Sequence, residues 1–494
     1  MALLNSLLYT AAAFVAYYIV KRVVNGLRSP LYHVPGPWHT RFTPIVNRYY
    51  RFTGEALLYR HEMHKRYGPL VRFEPNLVNA VDVSSWEQMH RMGTGFRKTK
   101  FYEKLRIGPA ATLFGFIDVR VHAARRKLFS RALTLEALRR NWEPAVRAKV
   151  DLCVSLIKRE VETQGTAEIS RWWKLMTGDV VTHLSFGESF DMLASGGASE
   201  KKYFDAVELA GVNIILSDMI PFLKFWALVL PFQILKDIVA AQEIVASKGA
   251  VAVRNLRAVD GDRPSLFSNM MAEAEKTGNE SDKKESLTDD DVISEAASFM
   301  LAGTDTTSIS LTYLVWAVAK WPDVRRRLEA EVATLPPNFT DKDVEALPYL
   351  SNVLAESLRL YNPGGVTIPR VAPPEGVTFN GHFLPGGTNV ASQGYTLSRN
   401  ESLFPDPDKF DPSRFENATD VQRRVAQPYG IGARSCIGKN LANMELRLAT
   451  AVFFRECRGV GLASNMADDR MMDQMVKFFV YPRGNRCDIT LGSD

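Results

Sequence analysis

Cysteine is scarce in this chain, with four in 494 residues. Cys153, Cys436, Cys457 and Cys487 show no paired spacing. That excludes a disulfide framework and a CxxC zinc pattern, and it fits a reducing compartment. Charge of one sign is not in large excess: 61 Lys+Arg against 55 Asp+Glu leave a net +6. Such a balance gives little support for nucleic-acid binding and argues only slightly for acidic partners or anionic membranes. There is no internal repeat and no low-complexity tract. No GxGxxG follows a strand signal, so no flavin or nicotinamide module is visible. The remaining composition, 46% hydrophobic and 23% charged, is that of a folded protein. The length exceeds one ordinary core, so two domains or one unusually large one are expected.

The N-terminus carries a long apolar run, Leu3 to Val20, without a charged side chain. Counted from Met1 it reaches the roughly 20 residues that cross a bilayer. Tyr17 and Tyr18 lie near its end, and Lys21, Arg22 and Arg28 follow. A cleaved signal would carry its positive charge before the run. The order here predicts an uncleaved anchor over 1–24, with the rest of the chain facing the cytosol; a buried core helix is the alternative. In the cytosol the N-x-S/T matches at Asn279, Asn338, Asn400 and Asn417 are chance matches. Residues 25–40 include HVPGPW, whose Pro35 and Pro37 make a stiff hinge before a body spanning 41–494.

The body reads mainly as helix with a small β region. LVRFEPNLVNAVDV (70–83) predicts two strands around a turn, and Asn380-Gly381 predicts a hairpin within 376–391. Helical periodicity runs from about Glu136 to Glu162. The polar stretch 276–285 reads as an exposed loop. A helix of roughly thirty residues starts near Thr288, with acids in its first turn, and stops before Pro322. It is apolar on most sides and is expected to cross the middle of the protein.

Three stretches carry chemistry. The long helix holds AGTDTT, Ala302 to Thr307, at its centre. Gly303 costs about 1 kcal/mol relative to Ala there, and Asp305 with its threonines is costly to bury without partners. This suggests a ligand against the backbone; a packing glycine with threonines bonded to the previous turn is the other explanation. Glu356 and Arg359 form an i,i+3 pair among apolar residues, where a buried pair needs a further partner. The third stretch is PYGIGARSCIGKN, 428–440. Cys436 sits just before a helix whose first amides can stabilise a thiolate. Gly432 and Gly438 allow close backbone approach, and Arg434 can pair with an anionic group. A lone cysteine builds no zinc or iron–sulfur site, but it suits a metal already held by a macrocycle, as in haem. A nucleophilic Cys436 is the competing reading, though no histidine partner is identifiable.

Together these motifs resemble the cytochrome P-450 family, of the microsomal type. Its haem-loop pattern is met by Tyr429, Gly432, Arg434, Cys436, Gly438, Ala442 and Glu445, with Tyr429 in place of Phe. Its oxygen-activating helix motif is met by Ala302 to Thr307. Glu356 and Arg359 match its E-x-x-R, and Pro412, Arg414 and Phe415 match the segment whose arginine joins that pair. Arg126 matches the W-x-x-x-R arginine, with His122 in place of Trp; Arg370 and FGESF (186–190) are also similar. The resemblance covers most of the chain and implies one large haem domain.

It further implies haem b (iron protoporphyrin IX) with Cys436 as axial ligand. His122, Arg126, Ala302, Arg370, Tyr429, Arg434 and Gly438 would contact the haem, the arginines meeting propionates. Asp305 would relay protons and Thr306 would hold a water. The implied reaction inserts one atom of O2 into a lipophilic small molecule and reduces the other to water. Electrons would come from an NADPH-dependent reductase in the endoplasmic reticulum membrane, with cytochrome b5 as a further donor. Arg125, Lys127, Arg139, Arg423 and Lys439 are candidate docking cations. The apolar stretches 109–117, 219–232 and 362–369 would line the pocket or touch lipid. The sequence also looks like a fungal enzyme of secondary metabolism. A haem-thiolate isomerase or dehydratase and a non-catalytic membrane haem protein are the alternatives.

Overall fold

Helical spacing dominates the chain, and helices with a few short strands are what form. The computed structural model describes residues 2–197, 201–220, 222–258, 265–278, 287–365 and 368–492. It divides into two compact units, Met1–Thr99 with Thr367–Leu397, and Lys100–Val366 with Ser398–Asp494.

The first unit opens with α1 (Ala2–Leu27). Its described side chains are exposed from Asn5 to Asn25. Among the described residues no single helix is long and apolar enough to cross a membrane. The expected N-terminal helix is present, while a bilayer crossing has no support from that measure. The proline segment that follows is fastened to strand β1 (Leu70–Glu74). Arg72 N–H donates to Pro35 O at 2.7 Å, and its buried guanidinium donates to Leu31 O, Ser29 Oγ and Pro75 O. Gly36 is required at this contact: its φ is +150° and a Cβ would lie 2.6 Å from Arg72 O.

Strand β1 pairs antiparallel with β2 (Leu77–Ala80), as 70–83 predicted. Three more strands complete the sheet: β3 (Arg97–Lys98), β4 (Arg370–Val371) and, further on, Asn389–Ala391. Between the last two lies a separate hairpin, β5 (Val377–Phe379) and β6 (His382–Leu384). Its turn places Asn380 at φ +48° and Gly381 at +78°, the conformation that Asn-Gly favours. With Asn389–Ala391 as β7, the sheet order is β1-β2-β7-β4-β3, and β2 runs parallel to β7.

The second unit holds the helices that matter for the site. These include α2 (Val119–Ser130), α3 (Glu143–Gln164), α4 (Ile169–Phe186), α5 (Lys201–Met219) and α6 (Leu223–Val229). The helix expected over 136–162 is two helices. Leu135–Asn141 ends at Trp142, and Pro144 in the first turn of α3 forces the restart. The polar loop expected at 276–285 begins inside a helix, Leu266–Gly278, and its remainder lies outside the described residues.

The central helix α7 (Asp289–Lys320) has 32 residues. Thr288 and Asp291 form a capping box at its start, and it ends at Trp321 before Pro322, close to expectation. It is buried over most of its length and packs on α4. Helices α8 (Pro348–Leu360) and α9 (Lys439–Glu456) also pack on it. Strands β8 (Gln474–Val476) and β9 (Val480–Pro482) form a hairpin near the C-terminus.

Candidate active site

The glycine-rich loop before α9 aims one sulfur. Gly430 (φ +64°) and Gly432 (φ +74°) supply left-handed turns. Gly438 caps α9 at an ordinary φ of −83°; a Cβ there would meet Cys436 Sγ at 3.9 Å. Cys436 N–H donates to Tyr429 O at 2.8 Å, closing the loop. Burial pushes the Cys436 thiol pKa up, opposed by the amides of Gly438 and Lys439 bonded to the sulfur and by the Arg126 charge. Yet Cys436 keeps accessible surface.

Three other predicted residues meet this loop. Arg126, on α2, donates to Ser435 O at 2.8 Å. Arg434 donates to Phe116 O (2.8 Å) and Ile117 O (2.9 Å), tying the loop to the segment before α2. The Tyr429 hydroxyl donates to Asn443 Oδ1 at 2.6 Å, so the departure from Phe gains a partner on α9. His122 is buried on α2. Arg370 lies in the other unit, buried, with its guanidinium on Pro369 O.

The motif at the middle of α7 separates by side. Gly303 packs against α4, where a Cβ would come within 2.7 Å of Val181. Thr306 Oγ donates to Ala302 O at 2.8 Å. The packing explanation therefore accounts for both residues locally. It does not account for exposure: Ala302 is exposed and Thr306 half-buried, on one face of an otherwise buried helix. Asp305 faces elsewhere. It is buried, accepts from the Tyr481 hydroxyl at 2.6 Å, and lies 3.4 Å from Lys174 Nζ.

An amide-cradled sulfur with cations nearby suits an axial thiolate, and an accessible helix face bearing a threonine suits a bound macrocycle. Comparison with known proteins decides the family. Residues 35–482 match the family described as Cytochrome P450. The chain belongs to the cytochrome P450 family.

This P450 is 38% identical to the cytochrome P450 monooxygenase stcB of Emericella nidulans, over 94% of this chain and 89% of that one. It is 38% identical to tazI of Aspergillus terreus, over 95% of each chain. It is 35% identical to aflV of Aspergillus parasiticus, over 98% and 96%. Its function is that of a haem-thiolate monooxygenase, which displaces the isomerase and carrier alternatives.

The Glu356–Arg359 pair is fully buried in this P450, with contacts of 2.7 and 2.8 Å. Arg414 Nε (3.1 Å) and Asp411 N (2.9 Å) also donate to Glu356, and Arg359 donates to Ser398 O. The carboxylate is thus saturated, as a buried charge must be.

Two of the expected docking cations are engaged internally. Arg125 pairs with Asp291 at 2.9 Å and Glu295 at 3.3 Å. Arg139 pairs with Asp341 and Glu345, both at 2.7 Å. Their charge is neutralised within the unit, whereas Lys127 and Arg423 are exposed.

Sequence reasoning missed Tyr481, Lys174, Ser294 and Glu295, and the contact between Thr307 and Glu445. Tyr481 and Lys174 bind Asp305, from elements remote in sequence. Thr307 hydrogen-bonds Glu445, whose carboxyl burial pushes to about 8. Glu295 accepts from Leu113 N–H at 2.8 Å and Ser294 from Ala110 N–H at 2.9 Å, holding the 108–113 loop on α7. Burial raises the Glu295 pKa to about 7 against the opposing Arg125 charge. The one signal for it was an acid within an apolar helix.

Proposed function

We propose that Cys436 is the axial ligand of haem b in a monooxygenase acting on a lipophilic small molecule. When bound, the haem supplies dioxygen activation, and the thiolate donates electron density to the iron. The observation that carries the reading is the Cys436 sulfur, which keeps accessible surface while the Gly438 and Lys439 amides and the Arg126 charge hold it.

The chain's residues then divide the work. Gly438, Lys439 and Arg126 stabilise the sulfur's negative charge. Arg126, Arg434 and His122 would meet propionates, and Ala302 would leave room along α7. Thr306 spends its proton on Ala302 O, so its lone pairs can accept from a water. Asp305, bonded to Tyr481 and Lys174 on the far side of α7, would supply protons from there.

Electrons come from an NADPH-dependent P450 reductase, with cytochrome b5 as a second donor. The exposed Lys127 and Arg423, and Lys439, offer the docking charge. Residues 1–24 form a single-pass anchor in the endoplasmic reticulum membrane, 25–40 a hinge and 41–494 the cytosolic catalytic domain. Three features support this placement. Helix α1 has 26 residues, about 39 Å at 1.5 Å per residue. Its Leu8, Phe14, Val15 and Ile19 are exposed, and the cations follow the apolar run. Phe222, Phe225, Leu228 and Phe232, exposed around α6, would dip into lipid.

The reduced, CO-bound protein tests the core of this reading. It should show the red-shifted Soret band of thiolate ligation, and Cys436→Ala should lose it; a wild-type protein without that band would sink the assignment. Metabolite comparison between a deletion strain and its parent then identifies the substrate.

A further inference from the structure

The first unit contains a recess that the haem chemistry does not use. It measures about 590 Å³ and lies between the C-terminal half of α1, the turn Trp38–Arg41 and β1. That size suits a small ligand. Helix α1 is held against the turn at Gly26, where a Cβ would come within 2.4 Å of the Phe42 ring. The recess is therefore a packed feature of the fold.

Its chemistry is one-sided. Lys21, Arg22, Arg41 and Arg72 line it, and no carboxylate does. Lys21 lies 5.8 Å over the Tyr17 ring, and Arg22 donates to the Tyr18 hydroxyl. Arg41 lies 4.1 Å over the Tyr32 ring. Arg72 is 1% exposed, and its partners are carbonyls and one hydroxyl. Burial and the neighbouring Arg41 charge push the Arg72 pKa down to about 10. A buried guanidinium beside another cation, with no counter-charge, is costly until an anion arrives. Phe14, Tyr17, Tyr18 and Phe42 give the wall an aromatic face, beside the neutral polar Asn25, Ser29 and Asn76.

We infer that this recess seats the phosphate of an anionic lipid headgroup, with Arg41 and Lys21 on the phosphate and the aromatic wall on the glycerol and upper acyl chain. Guanidinium forks suit phosphate oxygens. Tyrosines and cations at the end of an apolar helix lie at headgroup depth. The lipid source, as against free phosphate, rests on reading α1 as a membrane anchor.

The test is flotation of the full-length haem-loaded protein with vesicles of phosphatidylcholine, alone or with phosphatidic acid, at fixed ionic strength. Wild type should prefer the phosphatidic acid vesicles by more than the roughly fivefold that a single cation near a charged surface contributes. Arg41→Gln should remove most of that preference. Arg28→Gln deletes the same charge from an exposed position outside the recess, and should cost clearly less. Arg41→Lys should restore only part, because the point charge remains but the fork is gone. Lys21→Gln, on the exposed helix surface, gives a second variant should Arg41→Gln unsettle the turn. Equal losses from Arg41→Gln and Arg28→Gln would overturn the site in favour of a diffuse surface field. A rise in Tm with inorganic phosphate in lipid-free detergent, lost in Arg41→Gln, would overturn the lipid assignment. Failure to bind phosphatidylcholine vesicles sinks the anchor reading and the lipid source with it. Binding them without the phosphatidic acid preference sinks only the recess.

Discussion

The Tyr481 hydroxyl donates a 2.6 Å hydrogen bond to Asp305 and so turns that carboxylate away from its neighbour Thr306. Adjacent helix residues point about 100° apart, so an Asp-Thr dipeptide cannot place both groups on one face. Lys174 completes the Asp305 site from α4. Asp305 and Thr306 are thus neighbours in sequence that occupy separate environments.

If Asp305 supplies protons, Asp305→Asn should lower turnover by about a hundredfold, the low end for a lost proton relay. Substrate-induced spectral changes should persist. Tyr481→Phe should have a smaller effect and alter the solvent isotope effect on turnover. An unchanged isotope effect in both variants would leave these groups a purely structural role.

Thr306→Ala removes the hydroxyl from the accessible face of α7 while Ala302 and the helix remain. NADPH consumption should continue while product falls and hydrogen peroxide rises. The ratio of product to NADPH, measured with purified reductase, checks this; an unchanged ratio would contradict the role given to Thr306.

Glu295 makes stability depend on pH. Its folded pKa, about 7, is above the ordinary 4.5. The folded state therefore holds the extra proton between these values, and its stabilising effect is complete below about 4.5 and lost as pH rises through 7. The shift corresponds to something on the order of 3 kcal/mol. Denaturant midpoints measured from pH 5 to 8 should fall with pH, and Glu295→Gln should flatten the slope. Ionisation strengthens the acceptor for Leu113 N–H, so the loss reflects the burial of charge and not of that bond.

Glu356→Gln leaves Arg359 and Arg414 without their carboxylate. Removing one partner of a buried pair costs about 3–5 kcal/mol. The urea midpoint should drop accordingly, with haem retention falling in parallel. A change below about 1 kcal/mol, the range of exposed pairs, would mean that the network is not energetically buried.

Much of this was legible in local sequence. The Thr288 capping box, the stop before Pro322, the Asn380-Gly381 turn and the glycine loop around Cys436 each rest on residues close in the chain. The split at Trp142 was also local, since Pro144 is a helix start signal that the periodicity overrode. Strands of two or three residues, such as Arg97–Lys98 and Val480–Pro482, are too short to show a period.

The sequence by itself determined which groups exist and what lies along each helix: the cysteine before α9, the acid–threonine pair, the Glu–Arg pair and the cations after the apolar run. Only the tertiary structure decided who meets whom. It gave Asp305 to Tyr481 and Lys174, Arg125 and Arg139 to internal carboxylates, Thr307 to Glu445, and it gathered Arg41, Arg72 and Lys21 around one recess. Helix periodicity fixes direction along one element, but a charge finds its partner across elements, where only packing sets the distance.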